Sequence, residues 1–390
     1  MILKKQVLIA LSGTVMLLVM LAGGCKRNKD ARTDLPCVDG YEEIAEIYPD
    51  VTADVRIVPL EETDSSMLVS IKQVERLDSA YLVFDNFNEA LYRFSLDGQL
   101  LNRIGRKGRS GAEYVRLDAF IAGPDGRVLL VDGATDRILV YGPDGRYVST
   151  YSFPKRALGF MNQGVFLGND SLFVSNRIFG EDNGIFRKIC LSACTVLTVG
   201  TVPMKSPGIV ESLLIHPICI GEQPVFVRPF NDVVYAFDRN GAAEPLFRVG
   251  HSKPLADKEF FASHPVFSSA QTSMDLSSAG LFRGFTSLFA SDRHYLLGGS
   301  NTDYFLVGRQ SNVGIRLVSG GAKLESMPLL NIAGAFSDGF IGVWEPSGFS
   351  SKMLLETLDK SESVKAADFA GKLRAIPGNA NPCLLVYGIK

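Results

Sequence analysis

The residues best suited to bind a ligand are concentrated in one short segment, between Arg106 and Arg116. The segment reads Gly105-Arg106-Lys107-Gly108-Arg109-Ser110-Gly111-Ala112-Glu113-Tyr114-Val115-Arg116. Guanidinium groups bind carboxylates and phosphates through two parallel hydrogen bonds, and surface loops commonly carry recognition. This pattern predicts a site for an anionic group. The alternative is a connecting loop whose charges are merely solvated.

Three further polar residues, Arg177, Arg228 and Asn231, fall near strand ends that correspond in position to this loop. Because loops at one end of a repeated fold lie side by side, we expect these side chains to line one common mouth. The predicted ligand-binding residues are therefore Arg106, Arg109, Glu113, Tyr114, Arg116, Arg177, Arg228 and Asn231.

Two aspartates, Asp85 and Asp132, each end an apolar strand. Carboxylates at such positions could chelate a cation or bind a sugar. Turn chemistry favours a structural role, because an aspartate at a strand end accepts hydrogen bonds from the backbone of the following turn. Asp132 can also pair with Arg137.

Motifs for catalysis or metal binding are missing from the sequence. It contains no Gly-x-Ser-x-Gly elbow, no His-Glu-x-x-His and no phosphate-binding glycine loop. The four histidines, His216, His251, His264 and His294, lack the paired spacing of metal ligands. We therefore predict no catalytic residue, metal or cofactor, although distant side chains could still converge in three dimensions.

The first residues have the features of an export signal. Lys4 and Lys5 precede an uncharged apolar run, from Val7 to Ala22, that is short for a membrane-spanning helix. The run ends in small residues before Cys25, as in a lipobox, with Ala22 where leucine is usual. We predict a lipoprotein signal peptide over residues 1–24, lipidation of Cys25 and a flexible tether over residues 25–50. The alternative is an ordinary signal peptide or a signal anchor with an incidental cysteine.

Charge and cysteine content narrow the choice of partners. A net charge of −2 argues against a general polyanion-binding surface, and nucleic acid is excluded as a partner on this ground together with export. Five cysteines besides Cys25 are scattered widely and do not read as a disulfide framework. Cys190 and Cys194 are expected to flank a hairpin turn, where a disulfide is one option and two free thiols the other.

A repeat organises the elements that would position these residues. Asp85, Asp97 and Gly98 recur as Asp132, Asp144 and Gly145, each 47 residues later. In both copies an apolar strand ends at an aspartate, a turn and a second strand follow, and Asp-Gly closes a hairpin. Such a period is typical of the blades of a β-propeller.

Weaker copies extend the repeat over residues 51–390. Counting them gives six blades, so we predict an all-β, six-bladed propeller of four-stranded antiparallel sheets. Spacing before the fifth blade requires an insertion, and short helices are expected near residues 254–261 and 363–376. The segments Val55–Leu60 and Asn381–Lys390 read as a first and a last strand, one of which completes a blade begun by the other.

The second repeat resembles an NHL-type blade. Its sequence is Gly126-Arg-Val-Leu-Leu-Val-Asp132-Gly-Ala-Thr-Asp136-Arg137-Ile138-Leu-Val-Tyr141-Gly-Pro-Asp144-Gly145, and the preceding segment resembles the glycine-rich loop between such blades, with Ala112 where glycine is usual. The whole chain is similar to NHL/TolB-like propeller lipoproteins of Gram-negative bacteria, which are largely of unassigned function. This resemblance implies an outer-membrane lipoprotein. The basic stretch Lys26-Arg27-Asn28-Lys29 favours its periplasmic face over the cell surface.

Two classes of function remain open at this point. The first is a binding or scaffold module, anchored to a membrane by its N-terminal lipid, that recognises an envelope glycan, peptide or protein through one propeller face. The alternative is a lyase or hydrolase acting on saccharides or lactones in the central channel. A propeller fold by itself supports either.

Overall fold

The architecture is a ring of six β-sheets in a computed structural model. The structure describes residues 35–38, 41–44, 52–176, 186–199, 218–220, 223–227, 230–238, 242–251, 253–264, 269–282, 284–298, 304–310, 314–317, 331–359 and 364–390. Each sheet is one blade built on four antiparallel strands, which are consecutive in sequence in every blade except the sixth. The predicted six-bladed propeller is therefore confirmed.

In each blade the four strands follow one another from the innermost, nearest the axis of the ring, to the outermost. Blades 1 to 3 comprise β4 (Ile71–Arg76), β5 (Ala80–Asp85), β6 (Ala90–Ser95), β7 (Leu100–Ile104); β8 (Ala119–Ala122), β9 (Val128–Asp132), β10 (Arg137–Tyr141), β11 (Tyr147–Ser152); and β12 (Met161–Leu167), β13 (Ser171–Asn176), β14 (Phe186–Cys190), β15 (Thr195–Val199). Blades 4 to 6 comprise β16 (Ile218–Ile220), β17 (Gln223–Phe226), β18 (Val233–Phe237), β19 (Ala243–Val249); β20 (Ser287–Ala290), β21 (His294–Gly298), β22 (Tyr304–Gly308), β23 (Gly314–Leu317); and β24 (Ile332–Phe336), β25 (Gly339–Trp344), β26 (Cys383–Ile389), β3 (Thr52–Pro59).

Apolar side chains fill the spaces between neighbouring blades. Alternate residues of a strand point to opposite faces of its sheet. Thus Tyr81 and Val83 of β5 pack toward blade 6, whereas Leu82 and Phe84 pack toward blade 2. Both faces of a blade are buried in this way, which explains why β5 and β9 are apolar up to the aspartate that ends each of them. Neighbouring inner strands contact each other around the axis, as β4 does with β24.

The ring closes by pairing the two ends of the propeller sequence. Strand β3 forms the outer strand of blade 6, antiparallel to β26, with Val58 opposite Leu384. Asn381 adds three hydrogen bonds across the closure, two from its amide nitrogen to the carbonyls of Glu61 and Ser66 and one from the Leu68 N–H to its amide oxygen. This confirms that the first strand completes the last blade.

Two short strands before residue 51 also belong to the sheets. Strand β1 (Cys37–Val38) pairs in parallel with β19, and β2 (Tyr41–Ile44) pairs in parallel with β23. The outer edges of blades 4 and 5 thereby gain a fifth strand. The sheets therefore begin within the predicted tether, residues 25–50, and Cys25 itself lies outside the described residues. Segments of two and four residues carry no alternation that could predict them.

Four helices are described, all inserted between strands. Helix α1 (Lys258–Ser263) and α2 (Ser269–Ser278) lie between β19 and β20, and α3 (Phe349–Asp359) and α4 (Val364–Arg374) lie between β25 and β26. Asp257 caps α1 by accepting hydrogen bonds from the Glu259 and Phe260 N–H groups. Helix α4 lies within the predicted residues 363–376, α1 overlaps the second half of the predicted residues 254–261, and α2 and α3 were not predicted. None of the described helices is long and apolar enough to cross a bilayer.

Candidate functional site

The Asp85 side chain links two backbone segments at one end of blade 1. Its buried carboxylate accepts hydrogen bonds from the N–H groups of Val69 and Ser70, in the connection from blade 6, at 2.7 and 3.3 Å. It also accepts bonds from the Phe87 and Asn88 N–H groups, in the turn after β5, at 2.9 and 3.1 Å. We call this end of the ring, where interblade connections meet the turns between second and third strands, the connection face. The structural role predicted for Asp85 is confirmed.

The Asp132 side chain links the incoming connection to the turn after β9 in blade 2. Its carboxylate accepts bonds from the Val115 and Arg116 N–H groups at 2.8 and 3.3 Å, and from the Thr135 hydroxyl at 2.6 Å. Arg137 Nη2 lies 3.3 Å from Asp132 Oδ2, which confirms the predicted ion pair. The carboxylate is fully buried, and its hydrogen bonds go to the backbone of the connection, the Thr135 hydroxyl and Arg137.

Tyr114 fixes the predicted binding loop to blade 1. Its side chain is fully buried, and its hydroxyl donates to the Glu89 carbonyl at 2.6 Å and accepts from Arg103 Nη2 at 3.1 Å. Lys107 Nζ lies 2.8 Å from Glu89 Oε2, a second link between the loop and the same turn. The buried Tyr114 side chain thus holds the loop against blade 1 and is not accessible to a ligand.

Glu113 is also engaged within the loop. Its carboxylate accepts a hydrogen bond from the Ser110 N–H at 2.9 Å, and hydrogen bonding to Ser110 holds the pKa of Glu113 below its ordinary value. The Glu113 carbonyl accepts from Arg137 Nη2 at 2.8 Å, and the Ala112 carbonyl accepts from the Tyr141 hydroxyl at 2.8 Å. The loop is therefore a fixed platform whose backbone is held by blade 2.

The arginines of the loop differ in what they contact. Arg106 and Arg109 are exposed, and neither guanidinium makes a hydrogen bond or ion pair to another residue in the described part of the chain. Arg116 instead forms a bidentate ion pair with Asp118, at 2.6 and 3.0 Å, and its guanidinium lies 4.3 Å from the Phe160 ring centroid. Burial raises the pKa of Asp118 and outweighs the opposing effect of Arg116, whose own pKa is raised by the hydrogen bond to Asp118.

Of the three more distant predicted residues, the structure describes only Asn231, and its side-chain hydrogen bonds are made within blade 4. Arg177 and Arg228 lie outside the described residues. Asn231 belongs to blade 4, where its amide donates to the Tyr235 hydroxyl at 2.9 Å and accepts from the Val233 N–H at 3.0 Å. These bonds stabilise a local turn that begins at Phe230, whose φ is 57°.

Five exposed apolar side chains occupy the connection face of blades 1 to 3 and were not predicted. They are Met67, Val69, Phe87, Val115 and Phe160, exposed by 61, 46, 71, 36 and 45%. We call this set the ribbon. Val69 and Phe87 are held by the same carboxylate of Asp85, while Val115 lies between Tyr114 and Arg116. Only the presence of apolar residues in polar connections could have indicated it from sequence.

Cys190 ends β14, and Cys194 is the last of the four turn residues before β15, so the predicted turn is present but only Cys190 lies outside it. Both are free thiols, so the disulfide option is not realised in this structure. Cys190 Sγ lies 3.2 Å from Asp170 Oδ2, and Cys194 Sγ lies 3.4 Å from the Leu191 carbonyl oxygen.

The histidines that the structure describes lie apart from each other. The His251 ring stacks on Phe282 with centroids 4.0 Å apart, and His264 Nε2 lies 3.4 Å from Asp275. Burial lowers the pKa of His294, and His216 lies outside the described residues. Among described residues, no group of three His, Cys, Asp or Glu could hold a metal ion. The lyase or hydrolase alternative stays a prediction.

Comparisons with known proteins agree with this architecture. The structure is similar to a Bacteroides fragilis protein described as exported, with a TM-score of 0.68, 17% sequence identity and coverage of 91% of this chain and 99% of that one. It is also similar to a Bacteroides vulgatus member of the DUF4221 family, with a TM-score of 0.56, 11% identity and coverage of 87 and 98%. At these identities the likeness shows the fold alone.

Sequence comparison identifies the family. No curated protein matches the chain. The model of a domain of unknown function, DUF4934, matches residues 45–387, which comprise all six blades apart from short terminal pieces. The chain is therefore a member of the DUF4934 family.

Proposed function

We propose that this protein is a binding module that recognises a protein partner through the ribbon on the connection face of blades 1 to 3. The observation that supports this proposal is the clustering of large exposed apolar side chains on backbone that two buried carboxylates hold in place. Apolar side chains exposed singly are ordinary, but several together on one face are typical of interaction sites.

Charge beside the ribbon indicates the chemistry of the partner. Arg106 and Arg109 are exposed next to it, and Lys107 keeps 58% of its side chain accessible while pairing with Glu89. The carboxylates in this region are already engaged, Glu113 by Ser110 and Asp118 by Arg116. A partner surface that combines apolar and acidic side chains fits this arrangement, since complementary charge steers association and fixes orientation.

Rigidity of the platform favours binding. The ribbon residues Val69, Phe87 and Val115 each donate a backbone hydrogen bond to a buried aspartate. Little conformational entropy of the backbone would be lost when a partner binds, because these segments are already ordered. Binding then depends mainly on the apolar area removed from water.

Photo-crosslinking in living cells tests the proposal at single residues. We expect p-benzoylphenylalanine at position 87 to give a discrete protein adduct. The matched control is the same group at position 197, because Leu197 is exposed by 61% but lies on the outer strand of blade 3. Phe87→Asp should remove an adduct formed from position 69, whereas Leu197→Asp should not. No adduct at position 87, a polysaccharide adduct, or equal adducts at both positions would contradict the proposal.

The place of action is proposed to be the periplasmic face of the outer membrane. This rests on the signal and lipobox pattern ending at Cys25, on the basic stretch behind it, and on the exported class of the similar Bacteroides fragilis protein. Metabolic labelling with palmitate should mark the wild type and not Cys25→Ala, which should leave the membrane fraction. Protease added to intact cells should spare the protein. Labelling of Cys25→Ala, or removal by protease, would contradict this part of the proposal.

A further inference from the structure

Hydrogen bonds to blade 2 orient the tip of the loop that runs from Arg106 to Arg116. The Ser110 carbonyl oxygen accepts from Arg137 Nη1 at 3.4 Å, and the Gly111 carbonyl oxygen accepts from the Thr150 hydroxyl at 3.3 Å. Both donors belong to the two outer strands of blade 2. These two carbonyl groups at the tip of the loop therefore point toward this blade.

The N–H groups of the same two peptides point the other way. In a planar trans peptide, the N–H group is antiparallel to the carbonyl of the preceding residue. The Gly111 and Ala112 N–H groups are therefore directed away from blade 2, and neither donates to an acceptor in the part of the chain that the structure describes. Gly111 is exposed, and a Cβ atom added there would meet nothing within 4 Å. Two consecutive backbone donors are thus presented at the exposed tip of the loop.

Charge at the tip favours an anionic ligand. The Glu113 carboxylate accepts from the Ser110 N–H at 2.9 Å, and its pKa is lowered by hydrogen bonds to Ser110 and, less strongly, by the charge of Arg106. Arg106 therefore offsets the charge of Glu113, and among described residues Arg109 has no carboxylate partner. Two residues separate Arg109 from Gly111, so their Cα atoms are at most about 7.6 Å apart. The exposed Arg109 side chain can span this distance to an anion at the tip.

The tip and the ribbon belong to one rigid loop. Val115, a member of the ribbon, follows Gly111 by four residues. The two arms of the loop are joined by hydrogen bonds from the Gly108 N–H to the Tyr114 carbonyl at 2.8 Å and from the Tyr114 N–H to the Arg106 carbonyl at 3.1 Å. A partner segment that places an apolar side chain on the ribbon can therefore meet the tip at a fixed spacing.

We infer that a carboxylate side chain of the protein partner binds at this tip, through the Gly111 and Ala112 N–H groups and the Arg109 guanidinium. The inference rests on the proposed function, because it assigns the acidic group of the partner that binds the ribbon. An ionised carboxylate has two oxygen atoms that accept several hydrogen bonds at once, and consecutive backbone N–H groups and arginine both bind such groups. Open space at Gly111 lets the partner's chain continue past the site, which favours an aspartate or glutamate over a terminal carboxylate.

Matched variants of Gly111 isolate the backbone donor. Gly111→Pro removes the N–H group, whereas Gly111→Ala keeps it in the same open space, at a φ outside the left-handed region that would strain alanine. Proline is favoured at the second position of a turn such as Ser110–Glu113, so the loop should keep its shape. Arg109→Gln removes the charge. Urea unfolding followed by fluorescence of Trp344, the single tryptophan, should give wild-type midpoints for all three variants.

Amide NMR of the ¹⁵N-labelled full chain measures binding at the tip without the partner. The probe is N-acetylaspartate α-amide, whose only charge is the side-chain carboxylate, and the control is the uncharged N-acetylasparagine α-amide. We expect the Ala112 N–H resonance to shift with the acidic probe alone. Gly111→Pro and Arg109→Gln should each weaken this binding by about fivefold or more, and Gly111→Ala by less than about twofold. Equal shifts with both probes, no shift, or full binding by Gly111→Pro would overturn the inference.

Photo-crosslinking separates this inference from the proposed function. With p-benzoylphenylalanine at position 87, Arg109→Gln and Gly111→Pro should lower the yield of the partner adduct by about threefold or more, and Gly111→Ala should not. Full yield in the first two variants would overturn the inference and leave binding by the ribbon intact. No adduct at position 87, together with binding of the acidic probe, would overturn the proposed function and keep the site.

The same group at position 111 identifies the source of the carboxylate. Mass spectrometry of the adduct should find an aspartate or glutamate beside the crosslinked residue of the partner. Attachment at the partner's C-terminal residue would overturn the assignment of a side-chain carboxylate.

Discussion

Blades 1 and 2 and blades 4 to 6 complete the same ring by different means. In blades 1 and 2 a single buried carboxylate, Asp85 or Asp132, ties the incoming connection to the turn after the second strand. Blades 4 and 5 have an added outer strand from the N-terminal segment, and helices are inserted into the connection between them and into blade 6.

The difference shows where a propeller keeps its surface accessible. Carboxylate capping needs one side chain and leaves the connection short, so the apolar residues beside it stay exposed on the connection face. Helices add apolar surface that must be buried, as Leu354 and Phe369 are in the cluster between blades 5 and 6. One side of the ring therefore has connections held by single carboxylates, and the other side carries added strands and inserted helices.

The largest expected effect is the loss of a capping carboxylate. Asp85→Ala leaves four backbone N–H groups and the Asn88 amide without their acceptor, so we expect a loss of about 3 kcal/mol in the free energy of unfolding. Urea unfolding followed by Trp344 fluorescence measures it. Asp97→Ala is the control, because that side chain is 89% exposed, and it should change stability by less than about 0.5 kcal/mol. Equal losses of stability in Asp85→Ala and Asp97→Ala would contradict the view that a buried carboxylate holds the connection in blade 1.

A second prediction concerns the junction where the two halves of the ring meet. A Cβ atom at Gly98, whose φ is 88°, would lie 2.0 Å from the Pro59 carbonyl oxygen of β3. We expect Gly98→Ala to cost about 2–3 kcal/mol, from backbone strain and displacement of the closing strand. Gly168→Ala shares the positive φ, at 69°, but meets nothing within 4 Å, so strain alone should cost about 1 kcal/mol. Thermal unfolding of both variants compares them, and a larger cost at Gly168 would contradict the packing argument.

A smaller effect is expected from the strand added to blade 4. Val38 is 2% exposed and packs with Val234 and Val249 in the cluster between blades 4 and 5. Val38→Ala should therefore lower the free energy of unfolding by about 1–1.5 kcal/mol, through lost burial and a small cavity. Val364→Ala, at a side chain 84% exposed, is the control and should be neutral. If Val38→Ala is also neutral, the added strand does not stabilise the packing between blades 4 and 5.

The smallest predicted effect is a pH-dependent change in stability, which the inner strand of blade 1 should cause and the inner strand of blade 6 should not. The pKa of Glu75 in β4 is raised above 4.5 by burial, whereas β24 carries no ionisable residue. The folded state then binds this proton more tightly than the unfolded state, so stability falls as pH rises from 4.5 through the raised value. Glu75→Gln removes that fall and should be more stable than wild type at pH 7 but not at pH 4. Urea midpoints at the two pH values test this, and an unchanged difference between them would refute it.

Blades 1 and 2 could be predicted from sequence because single residues determine where their strands end and where their hairpins turn. The ends of β5 and β9 were marked by Asp85 and Asp132, and the hairpins by Asp-Gly, where backbone geometry restricts the choice of residue. Inner strands such as β8 and β16 have four and three residues, too few for a recognisable period. Helix α3 was missed because its loop-like opening, Phe349-Ser-Ser, obscured the apolar positions that follow.

The candidate site was less predictable than the fold. Charge and glycine content correctly located the loop from Arg106 to Arg116 on the surface, but they could not show that Tyr114 is buried or that Arg116 is paired. Exposure of the ribbon likewise depends on which connections receive helices.

Pairing of β3 with β26 sets an order of events during synthesis. The hydrogen bonds of Asn381 join residues 313 to 320 positions apart, so Glu61, Ser66 and Leu68 must wait until Asn381 has been made. Contacts of such separation form late and slowly. A chain that lacks β26 therefore has an unfinished sixth blade and an open edge, and the growing polypeptide would need protection from aggregation until residue 389 has been made.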